Sequence, residues 1–106
     1  MPEWLSTPEL PGYPAKRITL GEYRRRVKAM PYVWKPWRGS AALYRRDDGA
    51  FIAAVKREEA YDFIAGLVFR GADGDVSLRA TNDVEVEVPT EDVVAFTIAF
   101  MKVVLR

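Results

Sequence analysis

Few side chains of this chain could carry out acid–base or nucleophilic chemistry. The sequence contains no cysteine and no histidine, which removes thiolate nucleophiles, thiolate metal ligands and the usual general base near neutral pH. The strongest remaining candidates are Glu58, Glu59 and Asp62, because Glu58 and Asp62 share one helix face at a spacing of four residues. These carboxylates fall on the polar face of an amphipathic pattern, where we expect them to be solvated. The sequence therefore predicts a protein that is not an enzyme and that uses no metal and no cofactor.

Recognition chemistry concentrates in one segment, YRRRVKAMPYVWKPWRG, which runs from Tyr23 to Gly39. Cationic side chains neutralise phosphates, and aromatic rings stack on unpaired bases at roughly 1–3 kcal/mol each. The segment therefore supports a nucleic-acid-binding hypothesis, in which a basic helix over residues 24–28 lies beside an aromatic loop over residues 32–38.

A protein partner is the interpretation of this segment that we favour, since Trp and Arg dominate binding energy at protein interfaces. Both hypotheses compete with a plainer one, in which the arginines form the polar face of a helix and the tryptophans cover the core. The sequence leaves open whether the two tryptophans belong to the core or to the surface. The candidate partner-binding residues are Arg24, Arg25, Lys28, Trp34, Lys35, Trp37 and Arg38.

Capping signals and apolar periodicity predict three helices. Thr19 and Glu22 form a capping-box pattern at the start of the first helix, and Pro31 stops it. Thr90 is predicted to cap the third helix, for which a strand is the minority alternative because the segment is rich in β-branched residues. The predicted helices cover residues 19–30, 58–71 and 91–105.

Two hairpins are predicted, one before each of the last two helices. Asp48-Gly49 marks the first turn, and Asn82-Asp83 marks the second. A shift of 33 residues superimposes the two ββα patterns on each other, so that Phe51 falls on Val84. The sequence thus predicts a small single α+β domain, in which an N-terminal helix is followed by two ββα units. The two hairpins are expected to form one four-stranded antiparallel sheet with the helices on one face.

The first eighteen residues differ in composition from the rest of the chain. Four of the seven prolines fall within the first fourteen residues, and proline removes backbone donors and fixes φ. We therefore expect residues 1–18 to form a proline-rich extended arm and residues 19–106 to form the single α+β domain.

The charge of the chain is asymmetric. Residues 1–57 contain twelve Lys or Arg and five Asp or Glu, whereas residues 58–106 contain four and ten. This uneven distribution of charge marks an interaction surface if the basic and acidic halves stay apart in the folded protein. If the two halves interleave, their charges mix and no charged surface results. The sequence has no signal-peptide pattern and no apolar run long enough to span a bilayer. We therefore expect a cytoplasmic protein without a membrane partner.

The predicted third helix is apolar around most of its circumference. A helix of this kind lies either at the centre of its own domain or against another chain. The second arrangement predicts a homodimer or partner interface that contains Phe96, Phe100 and Val104.

These features together favour a non-catalytic protein-interaction module. Its size and composition suit a protein of the inhibitor, immunity, antitoxin or assembly-factor type, of the kind that phages and mobile elements encode. A nucleic-acid-binding protein and a self-assembling structural subunit are the two alternatives.

Overall fold

The computed structural model describes residues 3–79 and 85–105, in which three helices and seven strands form a small α+β fold. The helices are α1 (Leu20–Ala29), α2 (Ala60–Gly71) and α3 (Val93–Val104). The strands are β1 (Trp4–Ser6), β2 (Arg17–Thr19), β3 (Tyr32–Trp37), β4 (Ser40–Arg45), β5 (Phe51–Val55), β6 (Val76–Arg79) and β7 (Glu85–Val88).

The described strands form three antiparallel sheets instead of the single four-stranded sheet that the sequence predicts. One sheet pairs β1 with β2, the second has the order β3-β4-β5, and the third pairs β6 with β7. Strand β4 pairs with β5 along one edge and with β3 along the other, so it cannot also pair with a strand of the β6–β7 hairpin. The hairpins β4–β5 and β6–β7 are present as predicted, but the Asn82-Asp83 turn lies outside the described residues.

Strand β3 corrects the prediction of an aromatic loop over residues 32–38. Pro31 and Pro36 exclude a helix over this segment, and the sequence was therefore interpreted as a loop. An edge strand tolerates proline, and β3 is such a strand, with Pro36 opposite Ala41. The turn to β4 consists of Arg38 and Gly39 alone, and both have positive φ, at 48° and 76°. A two-residue turn of this handedness matches the twist of the strands that it joins.

Helix α3 lies at the centre of the fold, where it contacts α1, α2, the hairpin β1–β2 and the strands β3 and β4. Its predicted interface residues Phe96, Phe100 and Val104 are all buried in the protein's own core. The apolar circumference of α3 therefore reflects burial within one chain, and these three side chains present no surface to a second copy.

The helical parts of the two ββα patterns repeat at the spacing of 33 residues that the sequence suggests. Helices α2 and α3 are separated by 33 residues at both ends, and a 3-10 turn precedes each of them, at Arg57–Glu59 and Thr90–Asp92. The sequence predicts that Thr90 caps α3, but in the structure Thr90 begins the second 3-10 turn and does not cap the helix. Its backbone N–H and its hydroxyl both donate to Asp75, each at 2.8 Å. These hydrogen bonds lower the pKa of the Asp75 carboxyl.

Helix α1 begins and ends as predicted. The Thr19 hydroxyl accepts a hydrogen bond from the backbone N–H of Glu22 at 3.1 Å. At the other end the guanidinium of Arg46 donates to the carbonyl oxygens of Met30 and Val27, at 3.0 and 2.9 Å. Arg46 thus closes the C-terminus of α1 and joins it to the β4–β5 turn.

The described part of the proline-rich segment, residues 3–18, folds back on the domain. It contains β1 and most of β2, and Leu5, Leu10 and Tyr13 pack against the core. The loop between the two strands is tied at its base, where the backbone N–H of Thr7 donates to the carbonyl of Lys16 at 2.9 Å. The large apolar residues of the arm therefore pack on the protein's own core, except for Trp4, which is exposed.

Candidate binding surface

The candidate site is built on the outer face of the three-stranded sheet, the face opposite α3. Successive side chains of a strand point to opposite faces of its sheet. Trp34 and Trp37 are three residues apart in β3, so they point to opposite faces. Trp34 points into the core and is 7% exposed, whereas Trp37 is 39% exposed. Of the two candidate tryptophans, only Trp37 is therefore available to a partner.

The burial of Trp34 corrects its assignment as a partner-binding residue. Its ring centroid lies 5.8 Å from that of Phe63, 5.3 Å from that of Phe96 and 4.9 Å from that of Phe100. These four rings form an aromatic cluster where β3 meets α2 and α3. Trp34 is a packing residue of this cluster.

A β-bulge adds an aromatic ring to the outer face that sequence reasoning missed. Leu43 of β4 pairs with Ala53, but the next residue, Tyr44, pairs with Phe51, so Ile52 is an extra residue in β5. Phe51 therefore points outward beside Tyr44, and Ile52 is buried. Simple alternation along β5 places Phe51 inward, and nothing in the local sequence marks the bulge.

The outer face carries three aromatic rings in contact, with a cation over two of them. Phe51 lies 5.9 Å from Trp37 and 5.8 Å from Tyr44, between ring centroids. The guanidinium of Arg38 lies 5.3 Å from the Trp37 centroid, and the ammonium of Lys35 lies 5.7 Å from the Tyr44 centroid. We call these five residues the outer sheet surface.

A small, buried residue lies on the same face of the sheet as the aromatic rings of the outer sheet surface. Ala42 pairs with Lys35 and with Ala54, so its side chain points to the same face. It is fully buried, although it does not belong to the main core cluster. The larger side chains of the outer sheet surface must therefore cover it. Rings held in this way lose little conformational entropy when a partner binds.

The outer sheet surface is cationic. Neither Lys35 nor Arg38 forms an ion pair with any residue that the structure describes. Within residues 3–79 and 85–105, the only ion pair between the basic and acidic halves of the chain joins Arg26 to Asp92, at 3.1 Å. The charge asymmetry of the sequence is therefore not neutralised at this surface.

The three basic candidates of α1 lie on a different element. Arg24, Arg25 and Lys28 are exposed, and Arg25 pairs with Glu22. Among the described residues, no hydrogen bond, ion pair or ring contact joins them to the outer sheet surface. The structure thus brings together Lys35, Trp37 and Arg38 of the predicted set and adds Tyr44 and Phe51.

A cavity of about 390 Å³ lies between the loop of residues 7–16, the C-terminus of α2 and the N-terminus of α3. Three threonine hydroxyls line it, and each is already hydrogen-bonded within the protein. Thr7 accepts from the backbone of Lys16 at 2.9 Å, and Thr97 donates to the carbonyl of Val93 at 2.7 Å. Thr90 donates to Asp75. The cavity is thus an apolar cleft whose hydroxyls stabilise the fold.

No group of three or more acidic side chains lies close enough to hold a metal ion in the described part of the chain. Nor does any helix described there have the length and apolar character needed to cross a membrane.

Comparison of the chain with known protein families, with curated proteins and with solved structures found no match.

Proposed function

We propose that this protein is a non-catalytic protein-interaction module whose partner docks on the outer sheet surface. The observation that carries the proposal is the contact of three rings, Trp37, Tyr44 and Phe51, with two cations that have no acidic partner among the described residues. Protein interfaces have this anatomy, in which an aromatic centre excludes water and a polar rim surrounds it.

The rim charges define the character of the partner. Lys35 and Arg38 are cationic, so a complementary surface carries carboxylates around an apolar centre. Such a surface would pair its carboxylates with the two cations and pack its apolar groups on the rings. An acidic protein surface of this kind suits an inhibitor, immunity, antitoxin or assembly-factor role.

The positions of the cations favour a protein over stacked bases. Arg38 lies over the Trp37 ring and Lys35 lies over the Tyr44 ring. A base that stacked on the Trp37 ring or the Tyr44 ring at the position of its cation would have to displace that cation. A protein side chain can instead approach Phe51, which is 43% exposed, and leave both cation–π contacts in place.

The test is capture of partners from an extract of the source organism, with Trp37→Ala compared to the unmodified protein. Trp4→Ala is a matched control, because Trp4 is also exposed and also has a guanidinium over its ring, that of Arg17 at 4.4 Å. We expect acidic proteins that are retained by the unmodified protein and by Trp4→Ala, lost with Trp37→Ala, and unaffected by nuclease treatment. The proposal is rejected if the unmodified protein, Trp4→Ala and Trp37→Ala all retain the same set of partners.

Single-stranded nucleic acid is the second candidate, because exposed rings and free cations also suit unpaired bases and phosphates. If it is correct, binding of an oligonucleotide should weaken with salt at a log–log slope of about −0.7 for each phosphate neutralised. Arg24→Ala and Arg25→Ala would then each reduce this slope if α1 also takes part. An oligonucleotide that fails to bind at low salt excludes this candidate.

A further inference from the structure

The cavity between the β1–β2 loop, α2 and α3 has the dimensions of a small-molecule site. Its volume of about 390 Å³ lies within the range of about 300–1,000 Å³ that is usual for ligand pockets. A water molecule takes up about 30 Å³ of liquid volume, so the cavity has room for a ligand of roughly a dozen non-hydrogen atoms. Val68, Val93 and Val94 form an apolar part of its wall. The cavity therefore suits the apolar body of a small ligand.

Two hydroxyl-bearing residues, Thr7 and Thr97, are buried in the described part of the chain, and both line this cavity. A hydroxyl donates one hydrogen bond and accepts up to two. Thr97 donates its proton to the carbonyl of Val93, which satisfies it as a donor. Thr7 instead accepts from the backbone N–H of Lys16, and no described residue accepts the Thr7 proton. Because Thr7 is only 3% exposed, an acceptor for this buried donor has to come from the cavity.

A lysine lies beside Thr7 on the wall that the β1–β2 hairpin contributes. Leu5 and Ile18 pair with each other on the face of the hairpin that packs on the core. Alternation along each strand places Thr7 and Lys16 on this same face, and the backbone N–H of Thr7 donates to the carbonyl of Lys16. Lys16 lines the cavity and is exposed, so its stem lies along the wall and its ammonium reaches water at the rim. It forms no ion pair with any described residue.

The charges around the cavity differ between its two sides. On the α3 side, Asp75 accepts a hydrogen bond from Thr90, and Glu91 is the next residue along the chain. Among the described residues, no acidic side chain lines the cavity itself, and Lys16 is the charged residue of its wall. An anionic group is therefore attracted to the hairpin wall and repelled from the α3 side. This arrangement orients a ligand with its anionic group at Lys16 and its apolar body against α2 and α3.

We propose that this cavity binds a small carboxylic acid with an apolar body of about ten carbon atoms, a size that follows from the volume of the cavity. The Thr7 hydroxyl and the Lys16 ammonium are both donors, and an ionised carboxylate only accepts. One hydroxyl and one lysine match the two oxygens and the single charge of a carboxylate, whereas a phosphate brings up to two charges and three oxygens. The proposal does not depend on the function of the outer sheet surface.

The test is titration of the unmodified protein with decanoate, followed by the shifts of backbone amide signals in NMR spectra. Two probes with the same apolar chain, 1-decanol and decyltrimethylammonium, are compared with it, and all three are kept below the concentration at which they aggregate. We expect decanoate to bind at least about tenfold more tightly than either, since its charge adds ionic hydrogen bonds. The shifts should centre on Thr7, Ala72 and Val94, which line the cavity, and leave Trp37 unchanged.

Three variants assign the binding to the cavity and to Lys16. Lys16→Gln should weaken decanoate at least about tenfold and leave 1-decanol unchanged, because it removes only the charge. Lys28→Gln is the matched control, since Lys28 is also exposed but lies on α1, and it should bind decanoate normally. Ala72→Phe places a ring in the cavity and should abolish binding of decanoate. Circular dichroism checks that each variant is folded.

The proposal is overturned if decanoate fails to shift the signals of the cavity residues, or if decyltrimethylammonium binds as tightly as decanoate does. It is also overturned if Lys16→Gln binds decanoate as tightly as Lys28→Gln does, or if folded Ala72→Phe still binds it. Shifts confined to the outer sheet surface would likewise overturn it, because decanoate would then be binding at a different apolar surface.

Discussion

At the scale of single residues, Trp34 and Trp37 have opposite roles although both come from one short segment. Trp34 joins a cluster with three phenylalanine rings in the core, and Trp37 lies on the outer sheet surface. Composition alone could not separate them. Recognition of β3 as a strand would have done so, because residues three apart in a strand point to opposite faces.

Truncation of the two tryptophans should therefore affect different properties. We expect Trp34→Ala to lower the free energy of unfolding by about 3–5 kcal/mol, because it leaves a large cavity in the core. Trp37→Ala should change the free energy of unfolding by less than about 1 kcal/mol, since most of its effect falls on binding. Urea denaturation of both variants checks this difference. Equal losses of stability would contradict the division of roles.

Arg38 adopts a conformation that L-residues other than asparagine and aspartate seldom take. Its φ is 48°, and the left-handed region costs a residue with a Cβ roughly 1–2 kcal/mol. Strain of this kind is found at binding sites, where the side chain compensates for it. We therefore expect Arg38→Gly to raise the free energy of unfolding by about 1 kcal/mol and to weaken binding of the partner.

Arg38→Ala separates these two effects. Alanine keeps the Cβ and its steric cost, so this variant should bind as weakly as Arg38→Gly without its gain in stability. Thermal unfolding measures stability, and binding is measured with the captured partner. If Arg38→Gly is no more stable than Arg38→Ala, the backbone strain assigned to this turn is incorrect.

At the scale of elements, local signals in the sequence account for most of the fold. The capping box at Thr19, the stop at Pro31 and the apolar periods predict the three helices, and the Asp48-Gly49 turn predicts the first hairpin. Features that depend on how strands pair were missed, and two of them show why. Proline in β3 is tolerated only because that strand lies at an edge, and the bulge at Ile52 depends on how β5 pairs with β4.

The packing of α2 on α3 gives a test at this scale. A Cβ added at Gly71 would lie 2.6 Å from Cγ1 of Val93, so Gly71→Ala should lower the free energy of unfolding by about 1–3 kcal/mol. Gly21→Ala is the matched control, because a Cβ in α1 at that position meets nothing within 4 Å. It should raise the free energy of unfolding by up to about 1 kcal/mol, as expected from helix propensity. Urea denaturation should show opposite signs, and a stabilising Gly71→Ala would contradict the close helix packing.

At the scale of the whole molecule, the sequence predicts part of the candidate site. Lys35, Trp37 and Arg38 are adjacent in sequence and were identified from it. Tyr44 and Phe51 join them only through the pairing of β4 with its two neighbours. The position of α3 was ambiguous for a similar reason, because a helix that is apolar all round fits either a core or an interface.

The most direct test of the central claim is hydroxyl-radical footprinting of the captured complex by mass spectrometry. Partner binding at the outer sheet surface should protect Trp37, Tyr44 and Phe51 from oxidation relative to the free protein. Trp4 is exposed on another element and serves as the internal control, so its oxidation should not change. Oxidation of Trp37 and Phe51 that is equal in the free and bound protein would contradict the account.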